Sequence, residues 1–174
     1  MKALWLCAAM IVTACAAQAG QIDDLKAGKA QCYGPNTAKH TCAGFSSYVF
    51  GDTITNNAQL LLAPQPLVVM NSSSVVTLKG DAICGKVSKA DIDAATITVD
   101  GNPAPQAQAD GIKAQIWAAA FAQRDGKEIC TIYTPAADGS FTTSYTMDGQ
   151  PDASLPHTTV ILVDPKDYTL GMPG

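Results

Sequence analysis

The sequence predicts an α+β protein: an antiparallel sheet of six or more short strands with one principal helix, over about residues 110–124, packed on it. Three observations point there. A helical apolar spacing runs through Ile112, Ile116, Trp117, Ala120 and Phe121, at offsets that place them on one broad side of a 3.6-residue period. Short β-leaning segments separated by Gly, Asp and Pro turns occupy most of the remaining chain. One long helix comes late in the chain among these strands, which suggests an antiparallel sheet with the helix packed on one face. The alternative arrangement of the same elements is a mostly-β sandwich or barrel with one appended helix.

The chain opens with a targeting pattern. Met1-Lys2 is a positive start, Ala3 to Ala14 is an apolar run, and Ala17-Gln18-Ala19 is the small-x-small pattern of a signal-peptidase site. Residues 1–19 therefore read as a signal peptide, and 20–174 as a single exported domain in the periplasm or secreted. The apolar run is too short to span a bilayer, which takes about 20 residues, and no later segment is apolar enough to do so. An alternative reading is a lipoprotein box in Val12-Thr13-Ala14-Cys15. Lipidation of Cys15 would tether the protein to a membrane as a structural envelope lipoprotein.

Cys32, Cys42, Cys84 and Cys130 remain after the leader. An even number in an exported chain reads as two disulfides, with three connectivities open. The favoured set is Cys32–Cys42, closing the CYGPNTAKHTC loop, with Cys84–Cys130 tying a central strand to the strand after the helix. A metal site built from Cys32, His40 and Cys42 lacks a fourth donor nearby. No metal or cofactor is expected.

Strand signals come next. Phe45 to Phe50 and Thr53 to Leu62 flank the Gly51-Asp52 turn, although Asn56-Asn57 weakens the second. Leu67 to Met70 and Val75 to Leu78 read as two strands joined by an Asn71-Ser-Ser-Ser turn. Ala82 to Val87 carries Cys84, Ser88 reads as the N-cap of one helical turn over Lys89 to Asp93, and Ala95 to Val99 ends at Asp100-Gly101-Asn102-Pro103. In the principal helix Asp110 stands as N-cap and Asp125-Gly126 as the stop. Lys113 and Arg124 intrude on its apolar side, with stems able to lie along it while the charges reach water. Glu128 to Thr134 pairs with Phe141 to Met147, whose alternation suits a half-buried strand, and Thr158 to Val163 closes the sheet. The first mature residues and the GMPG tail read as disordered.

The formal net charge is −4, with charged residues only 15% of the chain and no basic cluster, so nucleic acid is not an expected partner. Gly80 to Val87 falls one residue short of a phosphate-binding loop, Val87 replacing the Ser or Thr that would hold Mg²⁺. There is no G-x-S-x-G nucleophile elbow. Asp91 and Asp93 read as helix-start acids rather than calcium ligands. His40 and His157 read as solvated loop residues.

These observations lean away from an enzyme and toward a small binding or interaction protein for an envelope protein or a small ligand. The alternative is an envelope-acting hydrolase whose catalytic residues lie far apart in sequence. A ligand cleft, where one exists, is expected beside the helix near Trp117, Phe121, Tyr133 and Tyr145.

Overall fold

The computed structural model describes residues 14–80 and 82–173, with side chains from Gly20 onward. Eight antiparallel strands close into an up-and-down barrel. They are β1 (Ala30–Tyr33), β3 (Gly44–Phe50), β4 (Ile54–Pro64), β5 (Leu67–Lys79), β6 (Ala82–Lys86), β9 (Glu128–Pro135), β10 (Phe141–Met147) and β12 (Thr159–Val163). Each pairs with the next in this order, and β12 returns to β1 with Cys32 opposite Ile161. The expectation of antiparallel strands with a helix holds at that level. The sheet does not remain open with the helix on one face. It closes on itself, as in the barrel alternative, which removes its edges.

Between β6 and β9 the chain makes an excursion outside the barrel. It contains α2 (Lys89–Ala94), β7 (Thr96–Val99), β8 (Asn102–Pro103) and α3 (Gln106–Ile116), which continues through a π-helical turn at Trp117–Phe121 and a 3-10 turn at Ala122–Arg124. The long strand β5 makes this possible. Its second half pairs with β6, while Val68 to Asn71 pair with β7. Met70, Ala95, Ile97 and Ala109 then form a satellite core, with Ile112 and Ile116 packed against it.

Asn71 to Ser74 do not turn. All four lie within β5, opposite Gln59, Ala58, Asn57 and Asn56 of β4. Pairing along a polar neighbouring strand overrides the local turn preference of serine, and the residues weakening each strand in sequence support each other in space.

The helix begins four residues earlier than expected. Pro105 occupies the N-cap position without a side-chain bond, and its carbonyl accepts from Ala109 N at 2.9 Å. Asp110 lies one turn inside and accepts from Gln106 Nε2 at 2.8 Å. Ala120 is exposed and Lys113 is buried. The Lys113 ammonium does not simply project into solvent: it donates to the Asp93 carbonyl at 2.8 Å and lies 3.4 Å from the Asp110 carboxylate. A cation bound to the C-terminal carbonyl of α2 satisfies both the buried charge and an end-of-helix acceptor.

Three ordered segments lie where the sequence suggests none. Helix α1 (Ala14–Lys26) packs against β3, β9 and β12. Its Leu25 is 1% exposed within the core that also holds Val76, Tyr133, Phe141 and Val160. Residues 20–26 are thus helical rather than disordered. The first thirteen positions of the expected leader lie outside the described residues, as does the side chain of Cys15. At the other end, β13 (Thr169–Leu170) pairs in parallel with β2 (Thr41–Cys42), and Thr41 Oγ1 donates to the Met172 carbonyl. The tail is therefore fastened to the barrel's outer face.

Both disulfides face outward from the barrel. Cys32–Cys42 sits in a second core with Ala30, Phe45 and Val163, covered by Tyr168 and Leu170. Cys84–Cys130 joins directly opposed residues of β6 and β9. Among the described residues, no helix is long and apolar enough to cross a membrane.

Candidate functional site: the barrel lumen

Alternation decides what lines the lumen. In β1, Gln31 and Tyr33 point inward while Ala30 and Cys32 pack outside. The registers of neighbouring strands carry the same alternation to Ser46 and Tyr48, then to Asn56, Ser74, Gly85 and Ile129.

One part of the lumen is filled by Leu25 of α1 with Phe141, Val160, Phe50 and Ile54. At its boundary stands a polar cluster drawn from three strands. Gln31 Oε1 lies 2.7 Å from the Tyr48 hydroxyl, 2.9 Å from Tyr33 and 3.2 Å from Tyr133. The Tyr33 and Tyr133 hydroxyls are themselves 2.7 Å apart. A carbonyl oxygen has two lone pairs, so two hydroxyls donate to Gln31 and the third to a neighbouring hydroxyl. Gln31 Nε2 is buried without an acceptor among the described residues. Removal from water pushes all three phenols well above the usual tyrosine range, and mutual proximity adds to the effect. They are neutral hydrogen-bonding groups over the physiological pH range.

Beyond the tyrosines the lumen is open, with a cavity of about 310 Å³. Tyr33, Tyr48 and Tyr133 form its floor. The lining is neutral and polar at Asn56, Ser72 and Ser74, and turns apolar at Val76, two residues further along β5 than Ser74, and at Ile83 and Ile129 of β6 and β9. Gly85 matters for the space: a Cβ there would meet Val76 Cγ1 at 3.4 Å, ordinary contact, and a longer side chain would project into the lumen. Asn56 Oδ1 is buried and has no hydrogen-bond partner among the described residues, an acceptor whose desolvation they leave uncompensated.

The excursion furnishes the mouth. Ser88, Asp91 and Ile92 come from the start of α2, and Phe121 from the end of the helix. The π-helical turn, in which Ala122 N bonds the Trp117 carbonyl, places Phe121 there. Ser88 Oγ is engaged as N-cap, accepting from Ala90 N at 3.2 Å.

Of the four residues expected around a cleft, the structure brings Phe121 and Tyr133 to one cavity. Trp117 and Tyr145 do not line it. The sequence reading missed Gln31, Tyr33, Tyr48, Asn56, Ser72 and Ser74. Their signal is polar residues at period two inside β-leaning stretches, legible only once the serines are assigned to a strand.

Chemically, the lining offers hydroxyls, one amide and apolar surface, with Lys86 and Asp91 as its charged groups. His40 stacks on Tyr168 with ring centroids 5.1 Å apart, and exposed His157 meets the Thr143 carbonyl; neither lines the lumen. Among the described residues one cluster of three metal-ligating types occurs, Cys84, Glu128 and Cys130. Its two sulfurs are bonded to each other, and Lys79 Nζ holds the Glu128 carboxylate at 2.7 Å.

No family model, curated protein or solved structure matches the chain.

Proposed function

We propose that this is a small exported binding protein that carries a small-molecule ligand in the open part of its barrel lumen. The observation that carries the reading is the cavity itself. It reaches the size range of small-ligand sites, it is enclosed by a closed barrel, and an inward glycine keeps it clear. The leader-like start and two disulfides support export, since such bonds persist in oxidising compartments. The floor of neutral tyrosines and the capped Ser88 favour binding over hydrolysis, because among the described residues no nucleophile lining the cavity is hydrogen-bonded to a base.

The test is native mass spectrometry of the protein gently purified from its source cells, beside Gly85→Leu. A small-molecule adduct on the wild type that is lost from a folded Gly85→Leu variant is the expected result. The proposal is overturned if no adduct is found and no compound of a small-molecule library shifts the Tyr33, Tyr48 and Tyr133 ring resonances.

A further inference from the structure

Resting on the lumenal reading, we infer that the ligand is a neutral ring compound bearing a hydroxyl donor, and that this donor is received by Asn56 Oδ1. Asn56 lies between Tyr48 of β3 and Ser74 of β5 in the strand register, so its acceptor sits in the polar stretch beside the tyrosine floor. Buried and without a partner among the described residues, it gains most from a group that donates. A second acceptor there would leave both unsatisfied.

Charge narrows the class. Lys86 and Asp91, the charged lining residues, belong to the end of β6 and to α2 at the mouth. The tyrosines, serines and Asn56 offer an ion no countercharge. An ammonium or carboxylate driven to the floor would lose its hydration without compensation. Shape narrows it further. A polar stretch at Asn56, Ser72 and Ser74 that adjoins the apolar surface of Val76, Ile83 and Ile129 suits a ring with hydroxyls on one edge and carbon on its face, the chemistry shared by saccharides and phenols. An acyl chain would desolvate the serines and Asn56 and return nothing to them.

The experiment is an NMR titration of the unmodified protein with N-acetylglucosamine, 4-methylphenol, its O-methyl ether 4-methylanisole, and decanoate. One or both hydroxylated rings should shift the lumenal tyrosine resonances, and which one binds identifies the source. If 4-methylphenol binds, 4-methylanisole should bind at least tenfold more weakly, because methylation removes the donor. If only the saccharide binds, Asn56→Leu should weaken it at least tenfold. Where that variant does not fold, Ser74→Ala serves, with a several-fold loss expected. The inference is overturned if decanoate or the ether matches or exceeds the hydroxylated rings; the lumenal reading then survives. Binding that leaves the tyrosine resonances still, or is unchanged in Gly85→Leu, overturns both.

Discussion

The hydroxyls of Tyr33 and Tyr133 meet at 2.7 Å although one hundred residues separate them in sequence. That contact joins the first strand of the barrel to the strand that follows the excursion. The two side chains also share Gln31, so the polar centre of the lumen is assembled only when the barrel closes.

This arrangement makes stability sensitive to alkali. The Tyr33, Tyr48 and Tyr133 hydroxyls titrate well above their ordinary value when folded, chiefly through burial. The folded state therefore holds these protons more tightly than the unfolded chain. Their contribution is complete below the unfolded tyrosine value, about 10, and falls as pH rises above it. Absorbance near 295 nm in an alkaline titration should show a fraction of the five tyrosines ionising only together with unfolding. Five equivalent phenols titrating in the native state would contradict the cluster.

Leu25 anchors α1 in the lumenal core at 1% exposure. Leu25→Ala should cost about 2–5 kcal/mol by urea denaturation, the range for a large aliphatic side chain removed from a packed site. A loss below 1 kcal/mol would mean that α1 does not close the barrel.

Lys113 should depend on its charge and not on its stem alone. Lys113→Met keeps the packing and removes the bond to the Asp93 carbonyl. A loss of about 1–3 kcal/mol is expected from the orphaned acceptor and the hydrogen bond to a charged group. Equal stability of Lys113→Met and wild type would show that the ammonium contributes nothing there.

The two disulfides should differ. They span 10 and 46 residues, and in the chain-entropy model the longer loop is worth about 1 kcal/mol more. Replacing Cys84 and Cys130 together by serine should therefore destabilise more than replacing Cys32 and Cys42 together. The reverse order, measured by denaturant midpoint, would show that the buried core around Cys32 outweighs loop entropy.

Much of the framework was legible because its signals are local. Phe141 to Met147 alternates cleanly, Ser88 is an N-cap preceding a one-turn helix, and Asp148-Gly149 carries the positive φ pair of a tight turn. What escaped depended on partners. Ser72 and Ser74 look like turn residues until Asn56 and Ala58 stand opposite them. Ala30 to Tyr33 is too short, and too close to Gly34-Pro35, to declare itself a strand before β3 and β12 flank it. Barrel closure itself is a pairing of distant segments that no single stretch encodes. The lumen followed the same rule: Phe121 and Tyr133 were visible as aromatic groups, while the acceptor on Asn56 acquires meaning only from its burial.

The Cys84–Cys130 bond stands at the neck of the excursion, where Val87 N also bonds the Lys127 carbonyl and Gly126 N the Val87 carbonyl. Everything from α2 to the end of the long helix leaves and returns through that neck. A protease that nicked the chain there would not divide the molecule: both fragments would stay covalently joined and in register on adjacent barrel strands. The mouth could thus be cut, lengthened or exchanged while the barrel beneath it kept its continuity, leaving evolution free to alter the entrance without rebuilding the container.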